Sequence, residues 1–296
     1  MSTTVKLAIG SLLIGCAVLG LKALAWWLTG SVALLSDALE STVNLATAFA
    51  ALVAIQVAAR PADQNHPYGH HKAEYFSAVL EGVMIIVAAM FILREAYDGL
   101  MAPRALDAPV TGLVINGVAT AVNGVWAFVL VRQGQRLKSP ALVADGKHLW
   151  TDVVTSVGGV VGVLAAVATG WWILDPIMAA LVAVNILWSG WKVVSQSLSG
   201  LMDEAVPEET LARIREIIAS EAGGAVEAHD LRTRLAGSAT FVEFHLVVPA
   251  EMSVYDAHEI CDHVEAAIGR AVPECRVTIH VEPEHKSKHS GIVVLD

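Results

Sequence analysis

ALVADGKHLWTDVVTSVGGVVGVLAAVAT, residues 141–169, is a long apolar stretch with a few ionisable side chains near its start. A helix needs about 20 mostly apolar residues to cross the hydrocarbon core of a bilayer, and this stretch exceeds that length. His148 and Asp152 lie four residues apart, and residues at i and i+4 are neighbours on one face of a helix. The stretch therefore predicts a membrane-spanning helix with a polar pair inside the membrane.

Five other stretches are similar in length and hydropathy. The six predicted spans are residues 5–28, 32–58, 75–97, 110–131, 141–169 and 171–194. An even number of spans places both termini on the same side of the membrane. The sequence thus predicts an all-α bundle of six transmembrane helices in residues 1–200, followed by a second domain in residues 201–296.

The two predicted domains differ in charge. Residues 1–200 carry 11 basic and 11 acidic side chains, so the net charge of −10 comes from residues 201–296, which also hold seven of the 11 histidines. An acidic surface disfavours nucleic acid and the anionic face of a membrane as partners. We therefore expect cations and the lipid bilayer as partners, and no nucleic acid.

Lys and Arg residues in the short loops set the expected orientation. They concentrate on the side that carries the N-terminus and the loops 60–72 and 132–138, whereas the other side has only Arg104 outside the spans. The first side is expected to be cytoplasmic. This predicts a multi-pass protein of the inner (plasma) membrane with both termini in the cytoplasm.

Residues 201–296 alternate between helical and strand patterns. Helical periodicity covers 207–222 and 253–272, while alternating apolar residues predict strands at 230–235, 240–248 and 276–281. The order αββαβ is typical of a small two-layer α+β domain.

Polar residues recur at one spacing in two of the predicted spans. The second span has Glu40 and Asn44 at i and i+4, as the fifth has His148 and Asp152. Ionisable residues inside a membrane are costly and usually functional. Two pairs on two helices offer four ligands around one point, the number that a tetrahedral Zn²⁺ site uses. The alternative is a hydrogen-bond network that only holds the helices together.

The sequence resembles the cation diffusion facilitators over nearly its whole length. The segments that carry the resemblance follow in the family's order: SVALLSDALESTVNLA (31–46), NHPYGHHKAE (65–74), HLWTD (148–152), GLMDEAVP (200–207), HDLRTR (229–234) and FVEFHL (241–246). The resemblance implies a homodimeric metal/proton antiporter with six spans and a cytoplasmic, ferredoxin-like metal-binding domain.

The resemblance also implies that Glu40, Asn44, His148 and Asp152 form the transport site. His148 and Asp152 match the family's usual pair on the fifth span. The second span departs from the pattern, because the family normally has His or Asp at the position of Glu40 and Asp at that of Asn44. An amide in place of a carboxylate removes a negative charge. A site with fewer nitrogen ligands is also compatible with harder metal ions than Zn²⁺.

A second metal site is implied in the loop after the second span. Its ligands would be Asp63, His66 and His70. The alternative is that these are solvated loop side chains, since exposed histidines are common without a metal.

A third site is expected in the C-terminal domain. On the last predicted strand, His280 and Glu282 share the outer face at i and i+2, and His245 faces away from the apolar side of its own strand. The resemblance adds His229 and, on the second helix of this domain, His258. Together these five residues are expected to form a binuclear regulatory site.

Together with these patterns, the resemblance implies a secondary transporter that exports a divalent cation from the cytoplasm in exchange for protons. Divalent metal ions would be both substrate and regulator, with Zn²⁺ expected first and Fe²⁺, Mn²⁺, Co²⁺, Ni²⁺ and Cd²⁺ open. A transport-deficient metal-binding scaffold or sensor of the same fold is the alternative, and a passive channel is another. The sequence has no HExxH, GxSxG or Walker motif, so an enzyme is not expected.

Overall fold

The computed structural model of the chain describes residues 2–29, 32–101, 110–171, 173–288 and 291–294. The chain divides into two compact units, Met1–Leu198 and Ser199–Asp296. The predicted boundary after residue 200 lies two residues from this division.

Long helices make up the first unit. Within the described ranges they are α1 (Thr3–Thr29), α2 (Val32–Ala58), α3 (Ala73–Met101), α4 (Val110–Arg136), α5 (Pro140–Thr169) and α6 (Leu174–Leu201). Their order confirms the predicted helical bundle, with one helix for each predicted span.

Several helices extend beyond the predicted spans. The predicted fourth span ends at residue 131, but α4 continues to Arg136, so that only residues 137–139 connect it to α5. Here Lys138 takes a left-handed φ of 51°, and the Ser139 hydroxyl accepts a hydrogen bond from the Leu142 N–H at 3.4 Å. Hydropathy locates the apolar part of a helix, whereas the backbone hydrogen bonds decide where the helix ends.

The outside of this unit is apolar. Three stretches of the described residues are long and apolar enough to cross a membrane: Thr3–Leu24, Ala73–Met101 and Pro176–Leu201. Large side chains such as Phe91 and Trp188 are 63% and 70% exposed. Exposed apolar surface of this kind is suited to lipid rather than to water.

Two glycines let α4 and α5 approach backbone to backbone. A Cβ on Gly134 would lie 2.9 Å from the Val143 nitrogen, and one on Gly146 would lie 2.9 Å from the Val131 nitrogen. Small residues permit such close contact between helices in membranes. Because Gly146 precedes His148 by two residues, this contact also fixes the position of the polar face of α5.

The second unit is an α+β domain with a four-stranded sheet. Its elements are α7 (Glu208–Glu221), β1 (Glu227–Ala236), β2 (Ala239–Val248), α8 (Val254–Ala271), β3 (Cys275–Pro283) and β4 (Ile292–Val293). The strand order is β3-β2-β1-β4, with β3 parallel to β2 and the other neighbours antiparallel.

Both helices pack on one face of this sheet. Ile218 of α7 and Val264 of α8 meet Phe244 and Leu246 of β2 in a buried cluster. Side chains alternate along a strand, so His245 points to the opposite face, which the helices leave open. The predicted αββαβ order is confirmed, and the candidate ligands of this domain lie on the open face.

Two features of the sheet were not predicted. The short strand β4 pairs its residues Ile292 and Val293 with Ala228 and Glu227 of β1. Two residues are too few for a periodic signal, and only the pairing defines the strand. The register between β1 and β2 also shifts between His229 and Arg232, where the chain forms a bulge.

Candidate metal centres

The helices α2 and α5 bring three predicted ligands together inside the first unit. Asn44, His148 and Asp152 are 7%, 4% and 6% exposed. The His148 Nε2 and the Asn44 Oδ1 lie 2.6 Å apart, and the Asn44 side-chain N–H donates to the Asp152 carboxylate. The Asn44 amide thus bridges the two residues that the i, i+4 spacing places on one face of α5.

Glu40 is the fourth residue of the predicted site. It lies in α2 one helical turn before Asn44, and its side chain lies outside the described part of the structure.

The donor set suits a divalent cation. The His148 Nδ1 is buried and has no hydrogen-bond partner among the described residues. A buried polar nitrogen without a partner is unfavourable unless another group satisfies it. Imidazole, carboxylate and amide oxygen are ligands that Zn²⁺ and the neighbouring transition metals accept.

Asp145 and Glu81 are two of the other buried carboxyl groups described in the first unit. Asp145 is 2% exposed and accepts a hydrogen bond from Ser11 of α1 at 2.5 Å. Glu81 of α3 is fully buried, lies 3.5 Å from Ser77 and interacts electrostatically with Asp145. Asp145 was missed by the sequence analysis, although its i, i+3, i+7 spacing with His148 and Asp152 marks one polar face of α5.

The loop between α2 and α3 brings Asp63, His66 and His70 together. The Asp63 carboxylate lies 3.2 Å from the His66 Nδ1 and 3.4 Å from the His70 Nε2. One ligand atom from each residue lies within 4.8 Å of the other two. The backbone N–H of His66 donates to the Asp63 carboxylate and lowers its pKa, which keeps this group ionised. The loop thus presents a charged ligand beside two imidazoles.

In the second unit, three adjacent strands place one histidine each at the same level. His229 of β1 pairs with His245 of β2, which pairs with His280 of β3. The Glu282 carboxylate reaches all three, at 3.2 Å from His229, 3.5 Å from His245 and 3.7 Å from His280. Four of the five residues predicted for this site therefore converge.

His229 is held by a carboxylate behind it. Its Nδ1 lies 3.0 Å from Glu227, so its Nε2 is directed towards Glu282. This Nε2 is buried and makes no hydrogen bond among the described residues, although a Glu282 oxygen lies 3.2 Å away. A carboxylate on one imidazole nitrogen and a free lone pair on the other is the usual arrangement of a metal-ligating histidine. The residues present therefore fit a metal ion. The contact of Glu227 with His229 was not predicted from the sequence.

Asp230 is a further candidate ligand that the sequence analysis missed. Its carboxylate lies within 4.8 Å of ligand atoms of His229 and His245, and it lines a cavity of about 160 Å³ with His245 and His280. The residue takes a left-handed φ of 53° at the bulge of β1. Simple strand alternation would put neighbours 229 and 230 on opposite faces, and the bulge brings them together.

His258 is the predicted ligand that lies apart from this cluster. It is on α8, its side chain is 71% exposed, and its Nε2 lies 3.8 Å from Asp262 one turn later. Because α8 covers the face of the sheet opposite to His245, His258 does not reach the cluster within one chain.

Comparison with known families finds a match for each unit. A family described as the cation efflux transmembrane domain matches residues 8–202, and one described as the cytoplasmic domain of cation efflux proteins matches residues 206–284. The two families together cover both units.

Similar proteins extend over nearly the whole chain. The uncharacterized transporter sll1263 of Synechocystis sp. is 47% identical over 277 residues, which cover 94% of this chain and 88% of that protein. The cation-efflux pump FieF of Escherichia fergusonii is 31% identical over 278 residues, which cover 94% and 92%. A solved structure of the zinc form of CzrB, described as a candidate zinc transporter, is 48% identical, covers 29% of this chain and 98% of its own, and has a TM-score of 0.27.

Proposed function

The chain belongs to the cation diffusion facilitator family of cation-efflux transporters, and from this premise we propose that it exports a divalent metal ion from the cytoplasm in exchange for protons. Members of this family are multi-pass membrane transporters and not enzymes. We propose the identity of the metal, its exchange for protons and the direction of transport.

The contact between Asn44, His148 and Asp152 carries the proposal. These side chains are buried between two helices of the bundle and join into one hydrogen-bonded group. A group that only held the helices together would not need an imidazole nitrogen without a partner, as the His148 Nδ1 is among the described residues. Glu40 would add a second carboxylate from α2.

Exchange of metal for protons follows from the chemistry of these ligands. A metal ion needs a neutral imidazole and ionised carboxylates, so its binding releases protons and protonation releases the metal. If the site opens alternately to each side of the membrane, the proton gradient drives the metal outward. Asp145, one turn before His148 on α5, and Glu81, which interacts with it, would add negative charge that attracts the ion to the site.

Zn²⁺ is the first candidate for the cargo. One imidazole with carboxylate and amide oxygens suits Zn²⁺, and the oxygen-rich set also admits Fe²⁺ and Mn²⁺, with Co²⁺, Ni²⁺ and Cd²⁺ as further candidates. The amide of Asn44 gives less charge than a carboxylate, which favours fast release over tight binding.

The acidic second domain would sense the cargo in the cytoplasm. The cluster of His229, His245, His280 and Glu282 would bind metal there and, with Asp63, His66 and His70 of the loop, would respond to its concentration. We further propose that the protein is a homodimer in the inner membrane, with both termini on the cytoplasmic side that the basic loops indicate.

One observation favours a second candidate, a metal-binding scaffold without transport. Asn44 stands where the family has a carboxylate, and its amide joins His148 to Asp152 through hydrogen bonds. Such a closed network would keep the site from exchanging ions.

Metal flux into proteoliposomes with an imposed pH gradient tests the proposal. We expect gradient-dependent Zn²⁺ flux by the purified protein, which Asp152→Asn reduces to background. The matched control is Asp98→Asn, an exposed acid on α3, and it should leave the flux unchanged. Metal binding without flux of Zn²⁺, Fe²⁺, Mn²⁺, Co²⁺, Ni²⁺ or Cd²⁺ would overturn transport and support the scaffold.

A further inference from the structure

The chain returns to the open face of the sheet after β3. Ser287 donates its hydroxyl to one oxygen of Glu227 at 2.7 Å, and the backbone N–H of Lys288 donates to the other at 2.7 Å. The Lys288 ammonium lies 2.6 Å from Asp230. We call Ser287, Lys288 and the strand Ile292–Val293 the C-terminal latch.

The latch is also paired to the start of β1. Ile292 pairs with Ala228 and Val293 with Glu227. A Cβ on Gly291 would lie 2.4 Å from the Ala228 carbonyl oxygen, so the chain approaches β1 too closely for any other residue here. The latch is therefore a specific contact, and it touches residues on both sides of His229.

Lys288 pairs with the carboxylate of Asp230, the further candidate ligand beside the metal cluster. Ligand atoms of His229, Asp230 and His245 lie within 4.8 Å of one another, close enough to bind a single ion. The same Asp230 carboxylate is engaged by the Lys288 ammonium. A divalent cation at this carboxylate would stand within a few ångströms of a second positive charge, and repulsion at that distance is strong.

The ion pair is weak enough to exchange. The Lys288 side chain is 50% exposed and that of Asp230 is 33% exposed. Ion pairs in contact with water contribute little to stability and are screened by salt.

We propose that Lys288 is a built-in competitor at the cytoplasmic metal site, that a divalent cation bound by His229, Asp230 and His245 displaces it, and that this displacement loosens the C-terminal latch. The lysine then sets the metal concentration at which the second domain responds. The proposal rests on the regulatory site of the proposed function, but it does not depend on transport.

Hydrogen exchange of the full-length protein in detergent, read by mass spectrometry during a titration with Zn²⁺ alone, tests this inference. In the wild type we expect Zn²⁺ to slow exchange in β1 and β2 around His229 and His245, and to speed it at Lys288 and in Ile292–Val293. Lys288→Met should lower the half-saturating Zn²⁺ concentration for β1 and β2 by about twofold to fivefold, the range that an exposed ion pair supports.

Two variants keep the test specific. Lys286→Met removes an exposed lysine two residues away, and it should leave the half-saturating concentration unchanged. Lys288→Arg keeps the charge and should stay near the wild-type value. The difference in half-saturating Zn²⁺ concentration between the wild type and Lys288→Met should also become smaller at high salt. Salt screens the ion pair that Zn²⁺ has to displace in the wild type.

Three results would overturn the inference. Equal half-saturation for the wild type and Lys288→Met would show that Lys288 does not compete. Slower exchange of the latch with Zn²⁺ would show that metal tightens it. If Zn²⁺ had no effect on exchange in β1 and β2, the regulatory site itself would be contradicted. None of these three results bears on metal flux through the site at Asp152, which is measured separately.

Discussion

Asn44 joins the other two described side chains of the candidate membrane site. Its amide does two things that a carboxylate cannot do together: it accepts from His148 and donates to Asp152. A carboxylate at this position would face Asp152 without a donor between them. In the absence of metal, two adjacent carboxylates hold a proton between them because like charges disfavour ionisation of both.

Asn44→Asp should therefore strengthen metal binding and make it more dependent on pH. We expect tighter Zn²⁺ binding at pH 8, on the order of tenfold, which corresponds to about 1.4 kcal/mol. The gain should shrink at pH 6, because metal then has to displace the shared proton. Binding isotherms of the purified protein at both pH values measure this. Asn44→Gln is the neutral control, and a weaker affinity at both pH values for Asn44→Asp would contradict the account.

Asp63 allows a second prediction at the residue scale. The backbone N–H of His66 lowers the Asp63 pKa, so the carboxylate stays ionised above its ordinary pKa of about 3.9 and is protonated only below it. Between pH 6 and pH 8 its charge does not change. Asp63→Asn should weaken metal binding in the loop by the same factor at both values.

Equilibrium dialysis of Zn²⁺ against the full-length protein checks this by measuring the number of ions bound per chain. Gln64→Asn, a change in a neighbouring exposed loop residue, is the control. A loss at pH 8 that disappears at pH 6 would mean that Asp63 is protonated there, contrary to its hydrogen bonding.

At the scale of the elements, close packing of α4 on α5 positions the metal ligands. Gly146 allows this contact, and its missing side chain would otherwise meet the Leu130 Cβ at 3.0 Å and the Val131 nitrogen at 2.9 Å. Backbone atoms cannot move aside as a flexible side chain can. Any side chain at residue 146 must therefore push α5 away from α4, and His148 with it.

Gly146→Ala should destabilise the first unit and weaken the site together. We expect a cost of about 1–3 kcal/mol from overpacking, a lower melting temperature in detergent and weaker Zn²⁺ binding. Gly117→Ala is the matched control, because its Cβ would meet nothing within 4 Å. Alanine there should stabilise α4 by roughly 0.5–1 kcal/mol. Equal melting temperatures for the two variants would show that the helix contact is not tight.

Local periodicity explains how much of these elements could be predicted. The 3.6-residue repeat puts His148 and Asp152 on one face, and the two-residue repeat does the same for His280 and Glu282. Asp230 was not predicted because a bulge in β1 brings it to the same side as His229. Glu227 was not predicted because its contacts come from a segment that is distant in the sequence. The pairing of β4 depends on a two-residue contact, and the extent of α4 and α6 depends on hydrogen bonds that hydropathy does not report.

At the scale of the whole molecule, the two units differ in net charge. The first unit is neutral overall, and its buried ionisable residues include Glu81, Asp145, His148 and Asp152. The second unit carries the net charge of −10. A membrane disfavours isolated charge, so the cargo must meet its ligands in a closed site. An acidic domain attracts the same cations from water and can respond to their concentration before transport begins.

Simultaneous recording of metal and proton movement tests the central claim most directly. Proteoliposomes carrying the purified protein, a Zn²⁺ indicator and a pH indicator would receive Zn²⁺ on one side. We predict that Zn²⁺ uptake is accompanied by proton movement in the opposite direction, that a protonophore changes its rate, and that Asp152→Asn abolishes both signals. Zn²⁺ uptake with no proton movement would contradict antiport and indicate a passive channel.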